Sequence, residues 1–317
     1  MLGRVRTIFW WEISEKIDIK NPVLCIGNFD GVHTGHRKVI STARDLAQKI
    51  KKPLCVMSFL PHPRFIFRPE NFFILSPISE KVKVLEELGA DYFLVVNFLK
   101  VKDFEPVEFC ELVKDKISPS GIVVGKDFSF GKDAKGRAED IEKIFSNEAE
   151  VIIVELVREK ESDQKEEKNK VSSSLIRKLI IDGKVKEVKK FLGEFYSVKG
   201  CVVKGAMRGK SLGFPTANIA TTFFLPCDGV YACFVKIDSK TFKGVCNVGT
   251  QPTFGSNRRT LEVFIFDFNQ NIYLKQIEVF FVERIRDVMK FSSPSELKER
   301  ISKDVDLALA ILKGEVS

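Results

Sequence analysis

Gly27-Asn28-Phe29-Asp30-Gly31-Val32-His33-Thr34-Gly35-His36 decides the fold of the first half of the chain. It follows an apolar run, Val23-Leu24-Cys25-Ile26, that reads as a buried strand. It precedes His36 to Ile50, where Val39, Ile40, Ala43, Leu46, Ala47 and Ile50 recur at helical spacing. The stretch is therefore a glycine-punctuated turn between a strand and a helix N-terminus, where unpaired backbone N–H groups and the helix dipole attract phosphate. Gly27, Gly31 and Gly35 let the backbone approach a ligand closely. With Phe29 and Asp30 they are the candidate nucleotide contacts. His33 and His36 lie three apart and share a face in a first helical turn. Their N–H groups suit the oxygens of a phosphate chain and the charge that develops during transfer. All three histidines of the chain, His33, His36 and His62, fall within thirty residues, which favours a site over incidental surface placement. The glycine spacing matches neither the dinucleotide nor the P-loop pattern. A zinc site on the three histidines is the weaker reading, since no Cys or carboxylate stands at ligand spacing beside them.

With 317 residues the chain suits two domains. Hydrophobic residues at 44% and charged residues at 30% are those of a soluble globular protein. No run approaches the ~18 apolar residues of a membrane span, and the N-terminus lacks the pattern of a signal peptide. Seven scattered cysteines, without a C-x-x-C pair, imply reduced thiols in a cytoplasm. The net charge of +8 is dispersed. It suits small polyphosphate substrates as well as nucleic acid, and no basic cluster alternates with aromatics. Neither nucleic acid nor membrane is therefore expected as a partner, and self-association stays open.

Outward from the opening stretch, Pro53 to Phe59 is a second strand, and Leu60-Pro61-His62-Pro63 holds an imidazole stiffly at its carboxyl end, where parallel sheets bind ligands. A helix over Ser79–Leu88, a strand over Asp91–Phe98 and a helix over Pro106–Lys116 follow. Gly121 to Gly125 is a buried strand leading to Lys126-Asp127-Phe128-Ser129-Phe130-Gly131. There Asp127 and the aromatics suit a planar ring with a polar edge, one of the two phenylalanines serving as core. Val151 to Val157 is a fifth strand, and the balanced charged run 158–170 is a solvated loop. Ser172, Ser173 and Ser174 cap a helix carrying Arg177, a second candidate phosphate site. Strands alternating with helices imply a parallel sheet with both faces covered.

Past Gly200 the rhythm changes. Cys201–Val203, Gly229–Ile237, Lys243–Val248, Leu261–Phe268 and Ile277–Val282 are apolar stretches separated by turns, which implies a small antiparallel barrel. A terminal helix spans Pro294 to about Leu312, with Leu297, Ile301, Val305, Ala308 and Leu312 on one face. Gly205 to Lys210, with Arg208, is a glycine-rich cationic loop suited to a phosphate chain, and Gly213-Phe214-Pro215-Thr216-Ala217-Asn218 follows. In an extended chain Thr216 and Asn218 project to one face as neutral oxygen ligands appropriate to Mg²⁺ on substrate phosphates. Glu262 is a lone carboxylate that either takes a proton from an attacking hydroxyl or is an ordinary outward strand residue.

In combination, Gly27–His36, Pro61-His62-Pro63, Gly125–Gly131, Val171–Arg177, Gly213–Asn218, Gly229-Val230-Tyr231, Asn247-Val248-Gly249 with Pro252-Thr253, and Glu262-Val263 resemble the bacterial bifunctional riboflavin kinase/FMN adenylyltransferases, also called prokaryotic FAD synthetases. The resemblance implies an α/β chain. An N-terminal parallel-sheet, Rossmann-like nucleotidyltransferase domain (1–186) precedes a C-terminal antiparallel β-barrel riboflavin kinase domain with a terminal helix (187–317). It implies ATP, riboflavin, FMN and FAD as substrates and products, with Mg²⁺. By match, His33 and His36 stabilise the transferring phosphate, and Ser172, Ser173, Ser174 and Arg177 hold the pyrophosphate end. Pro61, His62, Asp127 and Phe128 lie near the flavin of the first site. In the barrel, Thr216 and Asn218 hold Mg²⁺, Glu262 is the base and Arg286 lies near the flavin, while Gly205, Arg208 and Gly213 are the candidate nucleotide contacts.

This sequence departs from the family's usual residues at Leu60, Ser174, Lys184, Glu194-Phe195 and Gln251, none of which touches the histidine pair, the Thr/Asn pair or Glu262. Two alternatives remain open: only one activity is retained, or the chain is a flavin- or RNA-binding regulator.

Overall fold

The computed structural model describes residues 5–70, 72–155, 171–205, 213–253 and 256–315. The chain divides into two compact units, Met1–Ser173 and Ser174–Ser317.

The first unit begins β1 (Arg6–Trp10), β2 (Val23–Ile26), α1 (Thr34–Ile50), β3 (Leu54–Leu60), α2 (Pro63–Phe67) and α3 (Ile78–Glu87). It continues β4 (Tyr92–Asn97), α4 (Phe98–Val101), α5 (Pro106–Lys116) and β5 (Gly121–Gly125). A small ladder of β6 (Ser129–Phe130) and β7 (Gly136–Arg137), then α6 (Ala138–Phe145) and β8 (Glu150–Val154), complete it. Six strands form one parallel sheet in the order β1-β4-β3-β2-β5-β8.

The period of two along β2 explains why both faces are covered. Val23 and Cys25 pack with Val39, Ile40, Ala43 and Leu46 of α1. Leu24 and Ile26 pack with Phe109 and Val113 of α5 and Ile141 and Phe145 of α6. All four strand residues are buried, each large aliphatic contributing about 1.5–3 kcal/mol over exposure. Strand order reverses at β2, with β3 on one side and β5 on the other. The loops leaving β2 and β5 therefore flank the crevice where open parallel sheets bind ligands.

The sequence predicts five of these strands. β1 is an edge strand whose Arg6 is exposed and whose middle is half-buried, so it lacks the continuous apolar run of a central strand. The predicted strand ending at Val157 closes at Val154 within the described residues.

α7 (Ser173–Ile181) starts at the division and is followed by α8 (Val185–Leu192). The second unit then runs β9 (Ser197–Val203), β10 (Ala217–Ala220), β11 (Gly229–Ile237), β12 (Lys240–Thr253), β13 (Ser256–Ile265), β14 (Gln276–Arg286) and α9 (Pro294–Lys313). Its strands close into an antiparallel barrel, β10-β13-β12-β11-β14-β9. Along β11, Val230, Ala232 and Phe234 join Val282, Ala308 and Leu312 in a core between barrel and α9. Tyr231, Cys233 and Val235 point the other way and are fully buried. The sequence predicts five barrel stretches, and β10 is the sixth. Its Ala-Asn-Ile-Ala carries one buried residue, Ile219, too little for an apolar signal.

Candidate functional site

In the first unit, Gly27 extends β2 by donating to the Met57 carbonyl at 3.1 Å. A Cβ there would stand 2.8 Å from the Phe29 ring, so the glycine makes room for that buried side chain. Phe29, Gly31 and Val32 take φ of 47°, 84° and 35°. Such a left-handed run costs on the order of 1–3 kcal/mol at a non-glycine residue and marks loops shaped for a ligand. Asp30 is fully buried. Its carboxylate accepts from the Leu75 and Ser76 N–H groups at 3.0 and 3.1 Å, and its carbonyl accepts from the Ser173 hydroxyl at 2.9 Å. Asp30 thus ties the start of α7 and the 75–76 backbone to the loop.

His33 is the N-cap of α1: its Nδ1 accepts from the His36 N–H at 3.2 Å. An accepting Nδ1 assigns the ring proton to Nε2. His62 repeats the device at the start of α2, its Nδ1 accepting from the Arg64 N–H at 3.1 Å. The His33 and His36 rings stack with centroids 3.6 Å apart and planes 16° apart, and Phe29 meets His36 edge-on at 5.3 Å. Burial, then the charges of His33, Lys81 and His62, hold His36 well below the ordinary imidazole value, so it is neutral at pH 7. Three buried polar atoms around this loop have no protein partner among the described residues: Asn28 Oδ1, His36 Nδ1 and Arg37 Nε. Left-handed turn, helix N-terminus and histidine pair form a cradle of hydrogen-bond donors that suits an anion.

Of the other predicted site residues, Asp127 is exposed and Phe128 half-buried. Phe128 stacks on Phe130 at 5.7 Å, and Phe130, buried in the core, is the structural member of the pair. Pro61 and His62 are half-buried at the end of β3. Beyond them Phe65 and Phe67 of α2 are 55% and 61% exposed, apolar surface that the sequence reading did not single out. Ser172 and Ser173 are half-buried and Ser174 exposed, while Arg177, one turn into α7, is buried.

In the second unit, register brings the predicted residues together. Asn218 of β10 stands opposite Glu262 of β13, which stands opposite Asn247 of β12. Directly opposed residues share a sheet face with Cβ atoms about 4.5–5.5 Å apart, so the three side chains form one rung. A cavity of about 440 Å³ is lined by Glu262, Asn247, Phe264 and Arg286 on the barrel side and by Leu297 and Ile301 of α9. A second, of about 250 Å³, is lined by Gly205, Asn218 and the 268–273 loop. Thr216 lines both. A Cβ on Gly205 would fall inside the Asn218 amide, so this glycine leaves that side chain its room. Gly213 has a φ of 89° with open space around it, and Arg208 lies outside the described residues.

No cluster of three His, Cys, Asp or Glu occurs among the described residues. The hydroxyl of Thr216 and amide of Asn218 are neutral oxygen donors of the kind that holds Mg²⁺ when substrate phosphates supply the remaining ligands. Arg286 forks onto Asp304 of α9 at 2.7–3.0 Å, with the two side chains 11% and 3% exposed. It therefore braces the cavity wall as well as lining it. Asn247, Phe264 and the two α9 residues are cavity members that sequence reasoning did not assign. The helical face of α9 was legible, but not its division: Ala308 and Leu312 pack on the barrel while Leu297 and Ile301 face the cavity.

A family model for FAD synthetase matches residues 15–175 and one for riboflavin kinase matches residues 192–312. The chain is 35% identical over 297 residues to the bifunctional riboflavin kinase/FMN adenylyltransferase of Bacillus subtilis (strain 168), covering 90% of this chain and 91% of the relative. It is 34% identical over 301 residues to the protein of the same name from Haemophilus influenzae, covering 93% and 96%. A crystal structure described as a macrolide-efflux protein from Streptococcus pneumoniae matches with TM-score 0.85 and 33% identity, over 96% of this chain and 99% of that one. No helix among the described residues of the present chain is long and apolar enough to cross a membrane.

Proposed function

Because the chain belongs to the bifunctional riboflavin kinase/FMN adenylyltransferase family, we infer that it makes FAD from riboflavin in two ATP-dependent steps, with ATP, riboflavin and FMN as its substrates. The second unit transfers the γ-phosphate of ATP to the riboflavin 5′-hydroxyl, and the first joins FMN to the α-phosphate of a second ATP. The observation that carries the kinase assignment is the Asn218–Glu262–Asn247 rung at two adjoining cavities.

In the kinase step a neutral hydroxyl must lose a proton as it attacks. Glu262 takes that proton, the new P–O bond forms at the γ-phosphorus and ADP leaves. The larger cavity, with Phe264 and Arg286, suits the flavin. The smaller, with Gly205 and Asn218, suits the nucleotide, and we assign Arg208, from its glycine-rich cationic loop, and Gly213 to it as well. Thr216 and Asn218 would hold Mg²⁺, which when bound neutralises charge on the ATP phosphates. Positioning and charge stabilisation supply most of such catalysis.

In the adenylyl step the nucleophile is a phosphate oxygen of FMN, already an anion. A bond forms from that oxygen to the α-phosphorus, and pyrophosphate departs with the breaking bond's electron pair. The work left to the protein is to hold anions and stabilise growing negative charge. His33 presents Nε2–H to the α-phosphate and His36 stands stacked beside it, while the loop from Gly27 to Gly35 cradles the chain. We assign Ser172, Ser173, Ser174 and Arg177 to the pyrophosphate. Ser173 serves through its backbone N–H, since its hydroxyl hydrogen is directed to Asp30. This assignment sets the functional boundary at 186/187, so that α7 goes with adenylyl transfer. Pro61, His62, Asp127 and Phe128 are assigned to the FMN. A cytoplasmic location is supported by seven cysteines that are all free thiols.

Incubation with riboflavin, ATP and Mg²⁺, with the flavins resolved by chromatography, tests the reading. FMN should appear first and FAD after it. FMN alone would remove the adenylyl-transfer assignment.

A further inference from the structure

One buried charge of the first unit has no part in the chemistry above. Lys81 sits on α3 among Ile78, Val82 and Leu85, the positions that face the sheet, and is only 7% exposed. Its ammonium donates to the Asn28 carbonyl at 3.0 Å. That carbonyl already accepts from the Ser58 hydroxyl at 2.9 Å, so satisfying it does not require a cation. The lysine stands behind the residue that opens the anion-binding turn, and its charge reaches His36 together with those of His33 and His62.

We propose that Lys81 is a positioning residue for adenylyl transfer: it fixes the Asn28 carbonyl at the entry of the phosphate loop and places positive charge behind the histidine pair. The proposal rests on the assignment of adenylyl transfer to this unit. Two imidazoles stacked at 3.6 Å are not both imidazolium cations, because like charges at that distance suppress each other. Lys81 contributes positive charge beside them. The groups facing His36 are His33 from the turn, Phe29 beside it, Lys81 from α3 and His62 from the start of α2.

Three variants separate tether from charge. Lys81→Met removes both, Lys81→Gln keeps an N–H donor without charge, and Lys81→Arg keeps charge and donor. Each is assayed for conversion of supplied FMN to FAD between pH 5.5 and 9, and for riboflavin phosphorylation in the same preparation as a check that the chain is folded. The three histidines of the chain are titrated by NMR alongside. Lys81→Met and Lys81→Gln should lose roughly 10- to 100-fold in adenylyl transfer near pH 7, the scale of a misplaced reacting group, with phosphorylation unchanged. The His36 midpoint should rise in both, and Lys81→Arg should restore most of the rate and the midpoint. Should Lys81→Met fail to fold, the Gln and Arg variants decide the matter. Wild-type adenylyl transfer with an unmoved His36 midpoint in Lys81→Gln would overturn the proposal, as would an arginine variant no better than glutamine. Absence of FAD formation by the wild-type chain would overturn the function assigned to the unit instead.

Discussion

The sites proposed in the two units carry opposite chemical equipment. Around the turn between β2 and α1 the equipment is donors: backbone N–H groups, His33 with its proton on Nε2, neutral His36 and the buried Lys81. The carboxylate built into that turn, Asp30, is directed onto the Leu75 and Ser76 N–H groups. On the barrel the equipment is oxygen: Thr216, Asn218 and the carboxylate of Glu262 beside them. The nucleophile explains the difference. A phosphate arrives as an anion and needs no base, so a carboxylate near it would only repel. A ribityl hydroxyl arrives neutral and needs one.

The largest expected effect breaks the oxygen side. Glu262→Gln should lower riboflavin phosphorylation by about 10³-fold, within the range for removal of a general base, while conversion of supplied FMN to FAD persists; an intact kinase rate in that variant would exclude Glu262 as the base. Next, Asp304→Ala strands Arg286 beside the cavity. It should destabilise the second unit by about 3 kcal/mol, the scale for breaking a buried ion pair, measured as a lower denaturant midpoint. On the donor side, His36→Ala should cost adenylyl transfer about 10²-fold, the scale for one lost transition-state donor, and leave phosphorylation untouched.

The smallest effect is one of pH. Burial and its neighbours depress the folded-state value of His36, so the folded chain binds fewer protons than the unfolded chain once pH falls below the ordinary imidazole value of about 6.5. The stability that His36 contributes is present above that value and is lost as pH drops toward its depressed folded value. The loss is at most about 1.4 kcal/mol per pH unit. Denaturant titrations from pH 7 to 5 should show this slope in the wild type and a shallower one in His36→Gln.

What the sequence disclosed follows from how local each signal is. The β2–α1 turn was legible because strand, glycines and helix are contiguous. Thr216 and Asn218 were legible as a pair because alternation along an extended chain is local. Glu262 was ambiguous, since only the register of β10, β12 and β13 sets it in a rung with Asn218 and Asn247. Asp30 reads as a ligand contact, and its spacing carries no sign that its carboxylate also accepts from the backbone at 75–76. Lys81 did leave a trace: a lysine between Ile78, Val82 and Leu85 breaks the apolar face of an amphipathic helix. Its meaning depends on Asn28, more than fifty residues away in the chain.

The central claim is that two separate sites with different chemistries act in sequence, and mixing two crippled chains tests it most directly. Glu262→Gln and His36→Ala are each given riboflavin, ATP and Mg²⁺, alone and together, and the flavins are followed by chromatography. The account predicts little product from the first alone, FMN without appreciable FAD from the second alone, and FAD from the mixture, because FMN released by one chain serves the other. Failure of the mixture to make FAD, or rapid FAD formation by either variant alone, would contradict it.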